Sequence, residues 1–354
     1  MTSPSRAAIV GTGLIGGSIG MALRAQGWHV TGRDHDAGRA ELALSLGALD
    51  AVGTDERASV TFVATPVSSV AAEAARALRA GGVVTDVGSV KAPIVAAVDH
   101  PRFVGGHPMA GSEQEGVQGA DPALFEGATW VLTPTSSTDP EAYARVRSAV
   151  SSMGADVLAV PPQRHDELVA VVSHVPHLTA AALMTLAADG AAEHGTLLRL
   201  AAGGFRDMTR IAAGHPGIWP DICADNRDAI VGVLDRLIET LGGLRKIVEG
   251  ADRPALLGTL ERARHARVNL PARLARAEAL AEVRVPIPDR PGVLAEVTTV
   301  AADLGVNVED LEIAHSAEGQ RGVLLLLVDA DAAESLRQAF VRRGYRPSIQ
   351  PLSL

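Results

Sequence analysis

Residues 6 to about 160 alternate short apolar runs with stretches of helical pattern. The runs have the length of buried β-strands and lie at 7–10, 29–34, 59–66, 82–89 and 129–134. Helical patterns fall between the first four runs, as at 18–26 and 69–79. Alternation of strands and helices is typical of a parallel sheet that helices cover on both faces. We therefore predict an α/β domain over residues 1–160.

Residues 161–279 show no convincing strand pattern and predict an all-helical domain. The segment 227–247 is an amphipathic helix by its apolar positions at three- and four-residue steps. These positions are Ile230, Val233, Leu234, Leu237, Leu241, Leu244 and Ile247. The segment 178–188 is apolar nearly all round, so we expect it to be buried on several sides. Such an apolar helical domain is expected to dimerise through shared helices.

Residues 280–354 return to strands in the order βαββαβ, which predicts a ferredoxin-like α+β module. The preceding stretch, 261–282, is highly charged and is expected to form a helical linker. Three domains are consistent with a chain of 354 residues.

Composition narrows the classes of function. The net charge of −9 argues against nucleic acid as a partner, because such binding needs a basic face. The single cysteine, Cys223, excludes an internal disulfide and is consistent with a reducing compartment. We find no signal peptide before the first glycine motif and no apolar run as long as a membrane span. The expected location is the cytoplasm.

A glycine fingerprint for dinucleotide binding follows the first predicted strand. The pattern G-x-G-x-x-G is formed by Gly11, Gly13 and Gly16. The first glycine permits a tight turn, the second lets the backbone approach a pyrophosphate, and the third lets helix and strand pack closely. The helix that begins here offers free N–H groups to the phosphates, first at Leu14 and Ile15.

Asp34 ends the second predicted strand. An acidic side chain at this place accepts hydrogen bonds from the adenosine ribose hydroxyls and repels a 2′-phosphate. The sequence therefore predicts NAD rather than NADP as the cofactor. Two other interpretations stay open: Arg33 could accept a 2′-phosphate, and Asp34 could be a simple turn residue before His35.

Two segments after later strands carry candidate chemistry. Ser89 and Lys91 follow the fourth run, at the sheet edge where ligands of this fold class lie. They could equally form a strand-to-helix turn with Ser89 as the cap and Pro93 in the first helical turn. His107, in the glycine-rich segment 102–117, could take a proton from a hydroxyl while hydride leaves the same carbon. The alternative for His107 is a surface loop.

Two further clusters lie in the helical region. His174 and His177 stand three residues apart, but no third ligand accompanies them at convincing spacing, so no metal is expected. Arg206 and Arg210 share a helical face, and arginine suits bidentate recognition of a carboxylate. The alternative is a solvated helix face on which Asp207 pairs with an arginine.

Taken in order, these motifs resemble the prephenate dehydrogenase family of tyrosine biosynthesis. The similarity covers the whole chain and includes GTGLIGGS, ATP at 64–66, GSVK, GGHPMAG, SHVPH and GGFRDMTRIA. The segment IPDRPGVLAEVTTVAADLGVNVEDL resembles an ACT domain, a regulatory module that often binds amino acids. The resemblance implies a Rossmann domain, a helical dimerisation domain over 161–279 and a homodimer.

The family pattern also implies roles for individual residues. His107 would accept the proton of the substrate's ring hydroxyl, and Ser89 would hydrogen-bond the same hydroxyl. Arg210 would bind a substrate carboxylate, and His177 would line the pocket near the side chain. The other residues that the resemblance implies are Arg206, Gly203, Glu113 and Asp207 on the substrate side and Thr65 and Pro66 on the cofactor side.

The implied reaction is hydride transfer from ring C4 of prephenate to NAD⁺ with loss of the C1 carboxylate. Alternatives in the same class are arogenate dehydrogenase and a 4-amino-4-deoxyprephenate dehydrogenase. From other classes, we consider a generic hydroxy-acid dehydrogenase and a catalytically silent amino-acid sensor.

In the ACT-like module, DRPG at 289–292 precedes a helix whose N-terminus could hold the carboxylate of tyrosine as an effector. A dimerising module without a ligand is the alternative.

Overall fold

The structure is a computed structural model and describes residues 4–112, 114–193, 196–269, 280–288, 290–315 and 321–351. Contacts within the chain divide it into two compact units, Met1–Lys246 and Ile247–Leu354. The first unit contains an eight-stranded sheet and a group of helices, and the second contains a four-stranded sheet.

The eight-stranded sheet has the order β3-β2-β1-β4-β5-β6-β7-β8. Its strands are β1 (Arg6–Val10), β2 (His29–Arg33), β3 (Ala51–Val52), β4 (Val60–Val63), β5 (Val83–Asp86), β6 (Phe103–Pro108), β7 (Thr129–Thr133) and β8 (Asp156–Ala159). The helices of this part are α1 (Leu14–Ala25), α2 (Ala37–Ser45), α3 (Val67–Ala80), α4 (Ala92–Val98) and α5 (Pro140–Ser152). This architecture confirms the predicted Rossmann-type α/β fold.

The last two strands depart from the predicted parallel sheet. β7 runs antiparallel to β6, with His107 opposite Val131, and β8 runs parallel to β7. Between β6 and β7 the described residues form only a short 3₁₀ turn at Val117–Gly119. A parallel return usually runs through a crossover helix, and this connection, which lacks one among its described residues, brings the chain back in the opposite direction. The short strands β3 and β8 were not predicted.

Apolar side chains pack against both faces of the sheet. Along β1, Ile9 belongs to a core that includes Leu23 of α1 and Trp130 of β7. Its neighbour Val10 belongs to a second core with Val70 of α3. Successive side chains of a strand point to opposite faces, so β1 contributes to both cores. This double packing fixes the carboxyl ends of the central strands, where the candidate site lies.

The helices after the sheet are α6 (Pro162–Val169), α7 (Val175–Glu193), α8 (Gly203–Thr209), α9 (Trp219–Asp225) and α10 (Arg227–Glu249). A π-helical turn at Ala170–His174 joins α6 to α7. In α10, Ile230 is buried beside Ala170 and Val175, and Val233 packs against this cluster. The predicted amphipathic helix is therefore present.

The expectation that 178–188 is buried on several sides is wrong for the single chain, because Leu186 is 70% exposed.

The expectation of no apolar run as long as a membrane span also needs correction. The continuous helix Pro162–Ala191 has a mean hydropathy of 1.5 and is long and apolar enough to cross a membrane, judged by length and composition only. Its residues His165 and Asp166 are buried in a polar network of the folded unit, while only 28% of its apolar window is buried within the single chain.

The second unit contains α11 (Arg253–Val268) and a sheet of order β10-β11-β9-β12 whose strands pair antiparallel. Its further elements are β9 (Leu280–Pro288), α12 (Val293–Asp303), β10 (Val308–His315), β11 (Arg321–Asp329), α13 (Ala330–Arg342) and β12 (Ser348–Pro351). This order confirms the predicted βαββαβ module. Of the predicted charged linker, 261–268 belong to α11, and 270–279 lie outside the described residues.

Candidate functional site

The candidate site lies at the carboxyl ends of neighbouring parallel strands. Gly11 follows β1, Thr65 follows β4, Ser89 follows β5, and His107 lies near the end of β6. These four strands are adjacent and parallel, so their carboxyl ends meet at one edge of the sheet. Ligands of open α/β sheets bind outside this edge.

The glycine turn has the geometry that a dinucleotide pyrophosphate needs. Gly11 has φ +93°, and a Cβ there would lie 2.4 Å from the Ala64 carbonyl oxygen. A Cβ at Gly16 would lie 1.9 Å from the Gly11 carbonyl oxygen, so only glycine allows this helix–strand contact. In contrast, nothing lies within 4 Å of a Cβ built on Gly13, the N-cap of α1. This open space before Leu14 and Ile15 leaves the helix N-terminus accessible to a phosphate.

Asp34 is held beside the glycine turn. Its Oδ2 accepts hydrogen bonds from the Thr12 backbone N–H at 2.8 Å and the Thr12 hydroxyl at 3.3 Å, and its Oδ1 accepts one from the Asp36 N–H. Burial raises the pKa of Asp34, but these hydrogen bonds and the nearby His35 outweigh it and leave the pKa below its ordinary value. The carboxylate is therefore ionised at neutral pH and suits recognition of ribose hydroxyls.

Thr65 and Pro66 stand on the opposite side of the glycine turn. Pro66 is the N-cap of α3, and the backbone of Thr65 lies 3.2 Å from the position of a Gly11 Cβ. The predicted cofactor residues therefore lie together at the carboxyl ends of the adjacent strands β2, β1 and β4.

His107 belongs to a buried hydrogen-bond chain that the sequence did not reveal. Its Nδ1 lies 2.8 Å from Nε2 of His165, and Nδ1 of His165 lies 2.7 Å from Oδ1 of Asp166. The backbone N–H groups of Lys91 and Ala92 donate to the two carboxylate oxygens of Asp166 at 2.7 and 2.8 Å. Asp166 thus joins α6 to the loop that carries Ser89.

This chain of contacts determines which nitrogen of His107 is free. The Asp166 carboxylate accepts a hydrogen bond from Nδ1–H of His165, which leaves Nε2 of His165 as an acceptor. His107 must then donate its own Nδ1–H, so its Nε2 carries the free lone pair. The arrangement prepares His107 Nε2 to accept a proton from a bound ligand.

The surroundings also keep His107 neutral. Burial is the largest cause that lowers its pKa well below 6.5, and the neighbouring basic groups His165 and Lys91 act in the same direction. A neutral imidazole is the form that can accept a proton.

The loop that carries Ser89 is fixed by a fully buried ion pair. Lys91 Nζ contacts Asp86 Oδ2 and donates to the Gly106 carbonyl oxygen at 2.7 Å. Asp86 in turn accepts from the N–H groups of Gly88 and Gly106 at 2.8 and 3.0 Å. Burial lowers the pKa of Lys91, while Asp86 raises it in part. The pair therefore links the half-buried Ser89 to the residue directly before His107.

The alternative interpretation of Ser89 as a helix cap is wrong. The N-cap of α4 is Lys91, and no side-chain capping hydrogen bond is present there.

On the helical side, His177 stacks on Trp219 with ring centroids 3.7 Å apart and an interplanar angle of 14°. A Cβ at Gly214 would lie 3.7 Å from His177 Cε1. The neighbouring His215 lies 3.8 Å from Glu115, on the loop that follows His107. The loop after β6 and the segment beside His177 therefore border the same region.

The predicted substrate-binding residues of this region lie on and after α8. Gly203, Arg206, Asp207 and Arg210 are all exposed, and Arg206 Nε donates to the Ala201 carbonyl oxygen at 3.2 Å. Glu113 lies outside the described residues.

His174 plays a different part from His177. It is buried, its Nδ1 lies 3.2 Å from Nδ2 of Asn226, and Asn226 also donates to the Asp166 carbonyl oxygen at 2.8 Å. Burial lowers the pKa of His174 to about 4. These contacts agree with a structural residue that supports Asp166.

Sequence reasoning missed His165, Asp166, Trp219 and Asn226. An adjacent histidine and aspartate just before the long apolar helical segment were the signal for the first two. No local pattern distinguished Trp219 or Asn226.

Family models match three successive parts of the chain. They describe the prephenate dehydrogenase nucleotide-binding domain (residues 19–159), the prephenate dehydrogenase dimerization domain (161–262) and the ACT domain (281–342). A prephenate dehydrogenase of Bacillus subtilis is 34% identical over 341 residues, which cover 91% of this chain and 92% of that protein. The chain belongs to the prephenate dehydrogenase family.

Solved structures and relatives of this family differ in the substrate that their names give. Prephenate dehydrogenase from Aquifex aeolicus, in complex with hydroxyphenyl propionate and NAD⁺, has a TM-score of 0.71 and 30% identity over 76% of this chain and 99% of that one. Synechocystis arogenate dehydrogenase has a TM-score of 0.64 and 31% identity, and the match covers 74% of this chain and 98% of that one. A cyclohexadienyl dehydrogenase of Zymomonas mobilis is 32% identical, and the match covers 76% of this chain and 97% of that protein. The predicted family is therefore confirmed.

Proposed function

We propose that this protein is an NAD-dependent prephenate dehydrogenase, which converts prephenate to 4-hydroxyphenylpyruvate and CO₂. The observation that carries the proposal is the hydrogen-bond chain Asp166–His165–His107, placed at the edge of a dinucleotide fold. It supplies a neutral base beside the place where a nicotinamide ring would lie. The family to which the chain belongs supports the substrate class.

In this mechanism, bound NAD⁺ supplies the hydride acceptor. His107 Nε2 takes the proton from the C4 hydroxyl while hydride leaves C4, and Ser89 hydrogen-bonds the same oxygen. The bond from C1 to the carboxylate then breaks, its electron pair completes the aromatic ring, and the ring oxygen regains a proton. Aromatisation supplies much of the driving force, so the protein contributes chiefly orientation and electrostatics.

The substrate's carboxylates require cations, since the chain as a whole is acidic. Arg210 is proposed to bind one carboxylate by two parallel hydrogen bonds, with Arg206 beside it. His177, held flat against Trp219, is proposed to line the pocket at the side chain of the substrate. The backbone at Gly203 and the acids Glu113 and Asp207 are proposed to border the entrance.

The cofactor is proposed to lie with its pyrophosphate at Gly11, Gly13 and the first N–H groups of α1. Its adenosine ribose would hydrogen-bond Asp34, and Thr65 with Pro66 would border the opposite wall. The fit rests on the open space at Gly13 and on the ionised state of Asp34.

Initial rates of NADH or NADPH formation test this function. Prephenate and arogenate would each be supplied with NAD⁺ and with NADP⁺. We expect a large preference for prephenate with NAD⁺. Preference for arogenate would keep the catalytic residues and change the substrate, and turnover of the amino analogue alone would indicate the third enzyme of this class. A lack of hydride transfer with all candidate substrates would support a silent amino-acid sensor instead.

The protein is further proposed to act as a cytoplasmic homodimer. A groove of about 490 Å³ runs between α7, α8 and α10, lined by apolar side chains that include Val175, Leu183 and Leu237. Met208, which also lines the groove, is 63% exposed, and Ile238 of α10 is 64% exposed, so they present an apolar surface that a second copy could cover. Sedimentation of the full chain should give a dimer, and Ile238→Lys should shift it towards the monomer.

The ACT domain is proposed to bind tyrosine as a feedback effector. Gly292 adopts φ +88° as the N-cap of α12, so the helix N-terminus is available to a carboxylate. Asp289 of the same motif lies outside the described residues. Calorimetric titration of the full chain with tyrosine, and rates measured with and without it, test this proposal. A module that only dimerises would show neither heat of binding nor a change in rate.

A further inference from the structure

The end of β2 carries an arginine whose charge is already matched. Arg33, directly before Asp34, contacts Glu73 Oε2 on α3, and Glu73 Oε1 lies 3.3 Å from Arg76 Nη1. Glu73 therefore lies between two guanidinium groups. The side chains of Arg33 and Glu73 are 24% and 18% exposed, so solvent screens their pair less than an ordinary surface pair.

Arg33 is well placed to meet an adenosine ribose. Its carbonyl oxygen accepts the hydrogen bond of the Gly11 N–H at 2.8 Å, which fixes its backbone against the phosphate-binding turn. A 2′-phosphate on the ribose needs a cation near the end of β2. Arg33 is the strand residue next to Asp34, and its side chain could meet that need if it were released.

The other basic side chains that the structure describes at this end of β2 also contact acids. His35 Nδ1 lies 2.9 Å from Asp34, and Arg39 Nε lies 3.7 Å from Asp36. The region therefore presents no surplus of positive charge to a 2′-phosphate, although its sequence contains several basic residues.

We infer that Glu73 is a specificity-determining residue for NAD over NADP, because it binds Arg33 and keeps that guanidinium from serving a 2′-phosphate. The inference rests on the proposed use of a nicotinamide dinucleotide. Asp34 repels the 2′-phosphate from the ribose side, and Glu73 removes the one arginine that adjoins Asp34 on the strand. The two acids act by different means on the same choice.

Binding of NADH and NADPH to the full chain, followed by fluorescence titration, tests the inference without any substrate turnover. Glu73→Gln keeps the size of the side chain and removes its charge. We expect the ratio of NADPH to NADH affinity to rise about tenfold, the size of a gained charge-assisted hydrogen bond. A glutamine at this position could still hold Arg33 by its amide oxygen. Glu73→Ala removes that contact and should also raise the ratio of NADPH to NADH affinity.

Three further variants assign the effect to Arg33. The double variant Arg33→Gln/Glu73→Gln should have the same ratio of NADPH to NADH affinity as Arg33→Gln alone. The double variant Glu73→Gln/Arg76→Gln should keep the raised ratio, because Arg33 is still present. Glu41→Gln, on the exposed face of α2, removes one negative charge elsewhere and should leave the ratio within twofold of the unmodified chain.

The results separate this inference from the proposed function. Absence of NADH binding to the unmodified chain would overturn the proposed function together with the inference. Normal NADH binding with an unchanged ratio in both Glu73 variants would overturn the inference alone. A gain that survives the loss of Arg33 would also overturn it, because the cation responsible would then be a different one.

Discussion

Nδ1 of His107 lies 2.8 Å from Nε2 of His165, and the two rings meet edge to face at 71°. The contact joins a strand of the dinucleotide fold to the first helix of the helical region. We propose that His165 holds His107 in the tautomer whose Nε2 is free to accept a proton. The predictions below follow from this contact and from the buried charges around it.

His165→Asn should lower kcat about 10- to 100-fold while NADH binding stays within about twofold, because the base remains but its tautomer is no longer fixed. Steady-state rates and NADH titration measure the two effects. Asp166→Asn should act in the same direction. A kcat close to that of the unmodified chain in both variants would contradict the role given to this pair.

The pH profile of kcat/KM should show an acid limb below pH 6.5. Burial lowers the pKa of His107, so the neutral base persists as the pH falls through the ordinary value of 6.5. Activity is lost only when the pH falls through the lowered pKa and the imidazole gains a proton. Profiles with prephenate over pH 4.5–8 report the value for the free enzyme. A limb at or above 6.5 would contradict the lowered pKa.

Lys91→Met should destabilise the first unit by about 3–5 kcal/mol, since it leaves Asp86 buried without its partner. Urea unfolding followed by tryptophan fluorescence measures the loss. The double variant Asp86→Asn/Lys91→Met removes both charges and should recover part of the stability. If the single and double variants were equally stable, the buried pair would not be coupled as the contacts indicate.

The stability of the first unit should decrease on acidification from pH 6.5 to about 4. Folding lowers the pKa of His174 to about 4, so the unfolded chain binds the extra proton throughout this window. The contribution of His174 is at most about 3 kcal/mol at the acid end. The midpoint of urea unfolding should be lower at pH 5 than at pH 7.5. This difference between the two midpoints should be smaller in His174→Asn. An equal difference in both proteins would exclude His174 as its source.

Much of the fold could be predicted because its causes are local. The apolar run before Gly11 and the acid at Asp34 mark a strand, a turn and a second strand without reference to distant residues. The reversed direction of β7 could not be predicted in this way. It depends on a connection whose glycines and polar residues suit many paths, and whose described residues form no crossover helix.

In the candidate site, too, some residues could be predicted from local sequence and others could not. His107 and Ser89 were identified from motifs that lie next to strands, and the structure brings their segments together through Asp86 and Lys91. His165 comes from a helix 58 residues further along the chain, and its contact with His107 exists only after the helix packs against the sheet. Single-sequence patterns do not contain that packing.

The central claim is that His107 is the base of an NAD-dependent dehydrogenase, and His107→Asn tests it most directly. Initial rates of NADH formation from prephenate would be measured beside NADH binding for the variant and the unmodified chain. We predict that turnover is abolished in the variant while NADH binds as before. Near-normal turnover in His107→Asn, or loss of NADH binding along with turnover, would contradict the account.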